Sequence, residues 1–134
     1  LFSELHHKKN QNDIREIPKG TSPLCPKLST LIFSGNPLRC IPNCFFSHMV
    51  ALVVLDLSCN PFLTFLPKTV SNLRSLVSLL LGGCKSLKYV PPLEQLQRLS
   101  RLDISGTSIE EVPQGLEKLP DYKSVTISIN VDPQ

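Results

Sequence analysis

The chain repeats one pattern of apolar residues four times, and this repetition restricts its fold more than any other feature. The clearest copy spans residues 76–91, LVSLLLGGCKSLKYVP, and successive copies begin at steps of 24, 24 and 23 residues. Leu79 and Leu81 are two apart, so both side chains point to one face of a short strand. A single unit cannot bury that face and needs copies stacked on both sides. The four copies begin at Leu28, Leu52, Leu76 and Leu99.

The period and the residue after each strand indicate the fold class. Repeats of about 20–29 residues with Asn or Cys after an L-x-x-L-x-L strand are typical of leucine-rich repeats. Parallel strands need crossovers, which are right-handed in nearly all sheets. We therefore predict an α/β fold, a right-handed leucine-rich-repeat solenoid that forms a short curved arc with its parallel sheet on the concave side.

A polar residue or Cys occupies the turn that leaves each predicted strand. An Asn amide there can bond backbone groups of the adjacent turn that would otherwise be buried without partners. Cys and Thr can satisfy these groups less completely, because each carries only one donor. The predicted structural ladder consists of Asn36, Asn60, Cys84 and Thr107.

The pattern weakens at both ends of the chain. We expect residues 1–11 to form an irregular segment, with the first strand missing or replaced. Polar residues fall where the apolar residues of that strand should be, at Glu4, His7 and Lys9. The predicted leucine-rich-repeat domain covers residues 12–130. It comprises a partial first repeat over 12–27, full repeats from 28, 52, 76 and 99, and a weak terminal unit over 122–130.

The connections and the terminal unit carry weaker signals. Apolar residues at steps of three, such as Val70 and Leu73, predict short 3₁₀ turns on the convex side. In the terminal unit, Val125 and Ile127 are aligned with Leu102 and Ile104, and we expect order to decrease there. In the first convex segment the residues available to pack inward are Phe45, Phe46, Met49 and Val50.

Strand residues that alternate with the buried ones face the concave surface, where solenoids commonly bind their partners. Leu80 is apolar and has charged positions around it, which is the usual composition of a small hot spot. For Arg101 and Asp103, the alternative is a solvated strand face without a binding role. The candidate partner-binding residues are Ile32, Val54, Asp56, Leu80, Arg101 and Asp103.

Two segments resemble sites of other classes but have simpler interpretations. GGCKS at residues 82–86 lacks the G-x-x-x-x-G-K spacing of a phosphate-binding loop and lies within a repeat turn. Cys40, Cys44 and His48 are four apart, but Pro42 interrupts the helix that would bring them together as zinc ligands. We therefore predict no metal, no cofactor and no catalytic set, and hence no enzyme.

Charge and cysteine content restrict the partners and the compartment. A net charge of +3 gives no case for nucleic acid, and no apolar run reaches the about 18 residues of a membrane helix. The five Cys form no compact framework, and the chain has no Asn-x-Ser/Thr sequon. Together these features favour a reducing, cytoplasmic location.

Several segments closely resemble the leucine-rich-repeat region of plant intracellular immune receptors, most of all the class with an N-terminal coiled coil and a nucleotide-binding domain. They are CPKLSTLIFSGNPLRCIP, ALVVLDLSCN, LPKTVSNLRSLVSLLLGGC and RLDISGTSIEEVP, and the resemblance covers about residues 12–119. It implies a protein-interaction module in plant defence. The implied partners are pathogen effectors, the host proteins that effectors modify, or the nucleotide-binding domain of the same receptor.

The sequence departs from that family in one respect and leaves other functions open. Nothing in it resembles the coiled coil or the nucleotide-binding motifs, so we expect no ATP binding by this chain. The alternatives are a structural or autoinhibitory spacer and a stand-alone intracellular scaffold. A secreted receptor ectodomain typically has Gly-x-Ile-Pro turns and sequons, whereas the turns here read CIP, FLP, YVP and EVP.

Overall fold

The structure, a computed structural model, describes residues 6–8 and 14–130, and the side chains of residues 14–130. Within these ranges, six strands form one sheet in sequence order, and every neighbouring pair is parallel. This arrangement confirms the predicted leucine-rich-repeat solenoid. The strands are β1 (His6–Lys8), β2 (Thr30–Ile32), β3 (Val54–Asp56), β4 (Ser78–Leu80), β5 (Arg101–Asp103) and β6 (Thr126–Ser128).

The central residue of each inner strand contributes to one continuous apolar core. Fully burying a Leu side chain is worth about 1.5–3 kcal/mol relative to leaving it exposed, and here the same position is filled by Leu in consecutive strands. Apolar residues from the connections join this cluster and close the layers. The register aligns four central residues with no exposed surface: Leu31, Leu55, Leu79 and Leu102.

The first strand differs from the prediction. We expected an irregular segment over residues 1–11 with its strand missing or replaced, but His6–Lys8 forms β1 and pairs with β2. In this register His7 lies opposite Leu31. Strand pairing uses backbone N–H and C=O groups, so a polar sequence does not prevent it. The other residues of the predicted segment lie outside the described ranges.

The last strand pairs two residues later than we predicted. Ile127, rather than Val125, lies opposite Leu102. The connection before β6 is long enough to contain two 3₁₀ turns, Leu116–Lys118 and Tyr122–Ser124, which take up the additional residues. A shift of two keeps the same side chains on the same face, so Thr126 still faces away from the core.

The convex connections contain short 3₁₀ helices, as the steps of three predicted. Lys68–Asn72 forms one of five residues and buries Val70, while Leu116–Lys118 buries Leu116. Residues 93–99, which have the same spacing, form only turns. Neither these helices nor any other in the described ranges has the length and apolar character needed to span a membrane.

The first convex segment packs around two aromatic rings. Phe45 and Phe46 are buried with their ring centroids 5.1 Å apart in an edge-to-face arrangement, and Met49 is also buried. The prediction for Val50 is wrong, since 61% of this residue is exposed. Met49 fills the inward position of the turn, so the next residue along the chain points out to solvent.

The residue before each ladder position adopts a left-handed backbone. At three of the four positions it is Gly: Gly35, Gly83 and Gly106 have φ of 72°, 78° and 68°. At the fourth it is Cys59, with φ of 57°. Glycine adopts this conformation without penalty, whereas a residue with a Cβ is strained there by roughly 1–2 kcal/mol. The turn at Cys59, before Asn60, therefore carries strain that the other three turns avoid.

Candidate protein-interaction surface

Strand register brings four of the six predicted binding residues into one row, on the face of the sheet that points away from the core. Leu80 lies between Asp56 on one side and Asp103 on the other, and Ile32 follows Asp56. All four are half-buried. We call this set, Ile32, Asp56, Leu80 and Asp103, the concave row.

The other two predicted residues, Val54 and Arg101, lie in the neighbouring row on strands that are not adjacent. Val54 pairs with Ser78, and Ser78 pairs with Arg101, so a serine separates them. Arg101 is exposed. Among the described residues the one ion pair joins Lys118 to Glu94, so Arg101 and Asp103 form no salt bridge.

The two aspartates of the concave row are held by their own strand ends in the same way. Oδ1 of Asp56 accepts hydrogen bonds from the backbone N of Ser58 at 3.0 Å and from its Oγ at 2.6 Å. Asp103 accepts the equivalent bonds from Ser105 at the same distances. One oxygen of each carboxylate is thus engaged, and the side chains flanking Leu80 have a fixed orientation.

Asn60 and Asn36 each make several hydrogen bonds at the ladder. Asn60 Nδ2 donates to the carbonyl of Leu57 at 2.7 Å and to that of Phe33 in the preceding repeat at 3.0 Å. Its Oδ1 is buried and has no partner among the described residues. Asn36 donates to Phe33 at 3.0 Å and accepts a bond from the backbone N of Ile14 at 3.4 Å.

Cys84 and Thr107 fill the ladder with fewer bonds. Cys84 Sγ donates to the Leu57 carbonyl at 3.0 Å, and Thr107 Oγ1 donates to Ile104 at 2.7 Å within its own repeat. Burial raises the pKa of the Cys84 thiol to about 11. The thiol therefore stays protonated at neutral pH and keeps the hydrogen that it donates.

Asn130 has a role that the sequence analysis missed. Its Oδ1 accepts a bond from the backbone N of Gly106 at 2.5 Å, and its Nδ2 donates to the carbonyl of Thr107 at 2.8 Å. In earlier repeats the equivalent backbone N–H donates to a backbone carbonyl instead. Gly83 N, for example, donates to the carbonyl of Ser105. The signal was present, because Asn130 lies 23 residues after Thr107.

The sequence analysis also missed an exposed apolar surface beside the sheet. Phe65 and Tyr89 precede the buried residues Leu66 and Val90, and their backbones are joined by a parallel bridge. Each shows more than two fifths of its surface to solvent. We define the lateral face by its exposed apolar residues: Phe62, Phe65, Tyr89 and Val112. The sequence signal for Phe65, Tyr89 and Val112 was a large apolar residue directly before or within the apolar-Pro step. Phe62 follows Pro61 and carries no such signal.

The described residues offer no arrangement for metal chemistry. No group of three or more His, Cys, Asp or Glu side chains in the described ranges could hold an ion. Within those ranges all five cysteines are free thiols, and Cys40 and His48 point to solvent. The candidate interaction surfaces therefore offer shape, charge and apolar contact to a partner.

Comparison with known proteins identifies the repeats. A family model described as leucine rich repeat matches residues 26–85. The chain is 35% identical over 87% of its length to disease resistance protein At4g27190, and 39% identical over 72% to disease resistance protein UNI, both of Arabidopsis thaliana. It is 53% identical over 49% of its length to the probable disease resistance protein At5g43730 of the same plant.

The chain corresponds to a small part of these relatives. It spans 12%, 11% and 8% of the lengths of those three proteins. No solved structure matches the chain.

Proposed function

The chain belongs to the leucine-rich-repeat family, with repeats like those of plant disease resistance proteins, and from this premise we propose that it is a protein-interaction module in plant defence. The concave row is the binding surface, and Leu80 between two oriented carboxylates is the observation that carries this proposal. The partner is a pathogen effector, a host protein, or the nucleotide-binding domain of the same receptor. The module acts in the cytoplasm and catalyses no reaction.

The orientation of the carboxylates supports binding at the concave row. Side chains that are already fixed lose little conformational freedom when a partner docks, and this lowers the cost of association. Asp56 and Asp103 each have one oxygen committed to a serine, which leaves the other oxygen to accept bonds from a partner. An apolar partner residue over Leu80 with donors beside it fits this arrangement.

Alanine substitution on two sides of the arc tests the proposal. Leu80→Ala in the concave row and Arg101→Ala in the row beside it should weaken capture of a partner from plant extract. The melting temperature should change little, because both side chains point away from the core. Lys68→Ala and Arg74→Ala on the convex side are matched controls, since both side chains are exposed. Loss of the partner on the convex changes, with retention on the concave ones, would refute the concave assignment.

The lateral face favours the spacer or autoinhibitory alternative as a second candidate. Phe62 and Phe65 are 51% and 45% exposed, and a surface of this kind is suited to docking against another domain. In that case Phe65→Ser, rather than Leu80→Ala, should release a full-length receptor from inhibition. Cell-death assays of the two variants in leaf tissue separate the candidates.

A further inference from the structure

An apolar groove opens on the lateral face near the first complete repeat. It has a volume of about 740 Å³ and runs between residues 16–20 and residues 39–44, with Phe65 as its wall. Its floor and sides are formed by Ile17, Pro18, Ile41 and Pro42. A cavity of this size, mainly apolar and open to solvent, can take one or two large side chains.

The groove lies beside a pair of neighbouring backbones that do not join. Arg39 N bonds to the carbonyl of Arg15 at 3.3 Å, and Leu66 N bonds to that of Tyr89 at 3.2 Å. Among the described residues, no backbone hydrogen bond connects 39–42 with 64–66. The second full repeat has one residue more between its ladder Asn and the apolar-Pro step than the first, so the two segments differ in length.

Three basic side chains lie at or beside this opening, and none pairs with a carboxylate of the described residues. Arg15, Lys19 and Arg39 are all exposed, and none makes an ion pair in the part of the chain that is described. Among the residues that the structure describes, Glu16 is the one acidic residue that lines the groove. Arg15 and Arg39 lie on bonded backbones, where neighbouring like charges are unfavourable. A negative group placed between them would remove that repulsion.

Aromatic contacts hold one of these arginines in position. The Arg39 guanidinium lies 5.6 Å from the centroid of the Phe62 ring, a cation–π distance. Arg and aromatic residues beside a pocket are the composition in which interface binding energy concentrates. A guanidinium also binds a carboxylate through two parallel hydrogen bonds.

We propose that this groove binds an acidic protein segment, which inserts an apolar side chain against Phe65 and Ile41 and pairs a carboxylate with Arg39. The charge around the groove favours an acidic peptide over a nucleic acid, because three basic residues beside Glu16 form no continuous track for a phosphate backbone. The inference concerns a different surface from the concave row and does not depend on the function proposed for that row.

Nuclear magnetic resonance of the ¹⁵N-labelled full chain tests the groove directly. The probe is a blocked synthetic peptide with two aromatic or aliphatic residues at its centre and two acidic residues on each side. We expect saturable amide shifts confined to residues 16–20, 39–44 and 65. A peptide with Lys in place of the acids should bind about tenfold more weakly or not at all.

Variants of the chain make the assignment specific. Phe65→Ser and Arg39→Ala should each weaken the acidic peptide by about tenfold. Tyr122→Ser and Arg74→Ala are matched controls, because each removes an exposed side chain of the same type away from the groove and should leave affinity unchanged. If Phe65→Ser fails to fold in a thermal melt, Arg39→Ala decides the outcome.

Three results would overturn the proposal. They are equal binding of the Lys peptide, amide shifts on the concave row instead of the groove, and absence of shifts at millimolar peptide. Displacement of the acidic peptide from the groove by a short single-stranded DNA at lower concentration would assign the site to nucleic acid and also reject it. Leu80→Ala should have no effect here, so failure of the groove and failure of the concave row can be told apart.

Discussion

The inner layers of the arc and its last unit share one sequence pattern but differ in burial. Leu79 and Leu81 have no exposed surface, whereas Ile127 and Ile129, at the equivalent positions within and just after β6, are only half-buried. An inner layer has a neighbour on each side, while the last described layer has one on a single side. Position in the stack, as well as residue type, therefore decides how much each apolar residue stabilises the fold.

The largest effect expected from this difference is produced by a buried charge. Leu81→Asp should destabilise the chain by about 4–5 kcal/mol or more, because an unpaired carboxylate would lie in the core. That is comparable with the entire stability of many small domains, so the arc should unfold. Ile129→Asp should cost only about 1–2 kcal/mol, since water reaches this position.

Chemical denaturation followed by circular dichroism measures both variants. Leu81→Ala serves as the control that separates the lost apolar contact from the added charge. A denaturation curve for Leu81→Asp that matches the unsubstituted chain would contradict the core register, and equal costs for both Asp variants would remove the distinction between inner and terminal layers.

The ladder should show the same contrast on a smaller scale. Asn60→Ala removes bonds to two buried carbonyls and should cost roughly 1–3 kcal/mol. Asn130→Ala also removes two bonds, but this residue is exposed and water can replace them, so about 0.5–1 kcal/mol is expected. Both values come from urea titrations, and a cost at Asn130 equal to that at Asn60 would mean that the last turn is as essential as the inner ones.

The smallest predicted change concerns the left-handed turns and is a gain in stability. Cys59→Gly should stabilise the chain by up to about 1 kcal/mol, because it removes a Cβ from a left-handed backbone but adds freedom to the unfolded state. Gly106→Ala is the reverse substitution at an equivalent turn. It should destabilise the chain, since its Cβ would lie 3.1 Å from the backbone N of Gly83. A loss of melting temperature for Cys59→Gly would show that the thiol makes a contact worth more than the strain.

Sequence alone predicted the parts of the fold that depend on apolar periodicity. Leu79 and Leu102 could be aligned because burial of the strand face demands an apolar residue at that step. The pairing of β6 was predicted two residues early, because Val125 and Ile127 both satisfy the same alternation. Only the length of the connection distinguishes them, and periodicity carries no information about how a turn is folded. Strand β1 was not predicted, because its pairing uses backbone groups and does not require apolar side chains.

Surfaces were predicted less completely than the core. Register follows from the repeat, so the placement of Leu80 between Asp56 and Asp103 was accessible from sequence. The bonds from Ser58 and Ser105 to those aspartates were not predicted, although the shared D-x-S spacing was visible. The lateral groove lies beside two backbone segments that do not pair, and no residue type signals such a gap.

Unequal repeat lengths have a consequence for how the molecule can vary. Paired strand residues are separated by 24 positions from β2 to β3, 24 from β3 to β4, 23 from β4 to β5 and 25 from β5 to β6, yet the sheet is continuous. Insertions and deletions are thus absorbed in the connections. A one-residue indel between Asn60 and Leu66 would reshape the groove without moving Leu80, so the two surfaces can diversify separately.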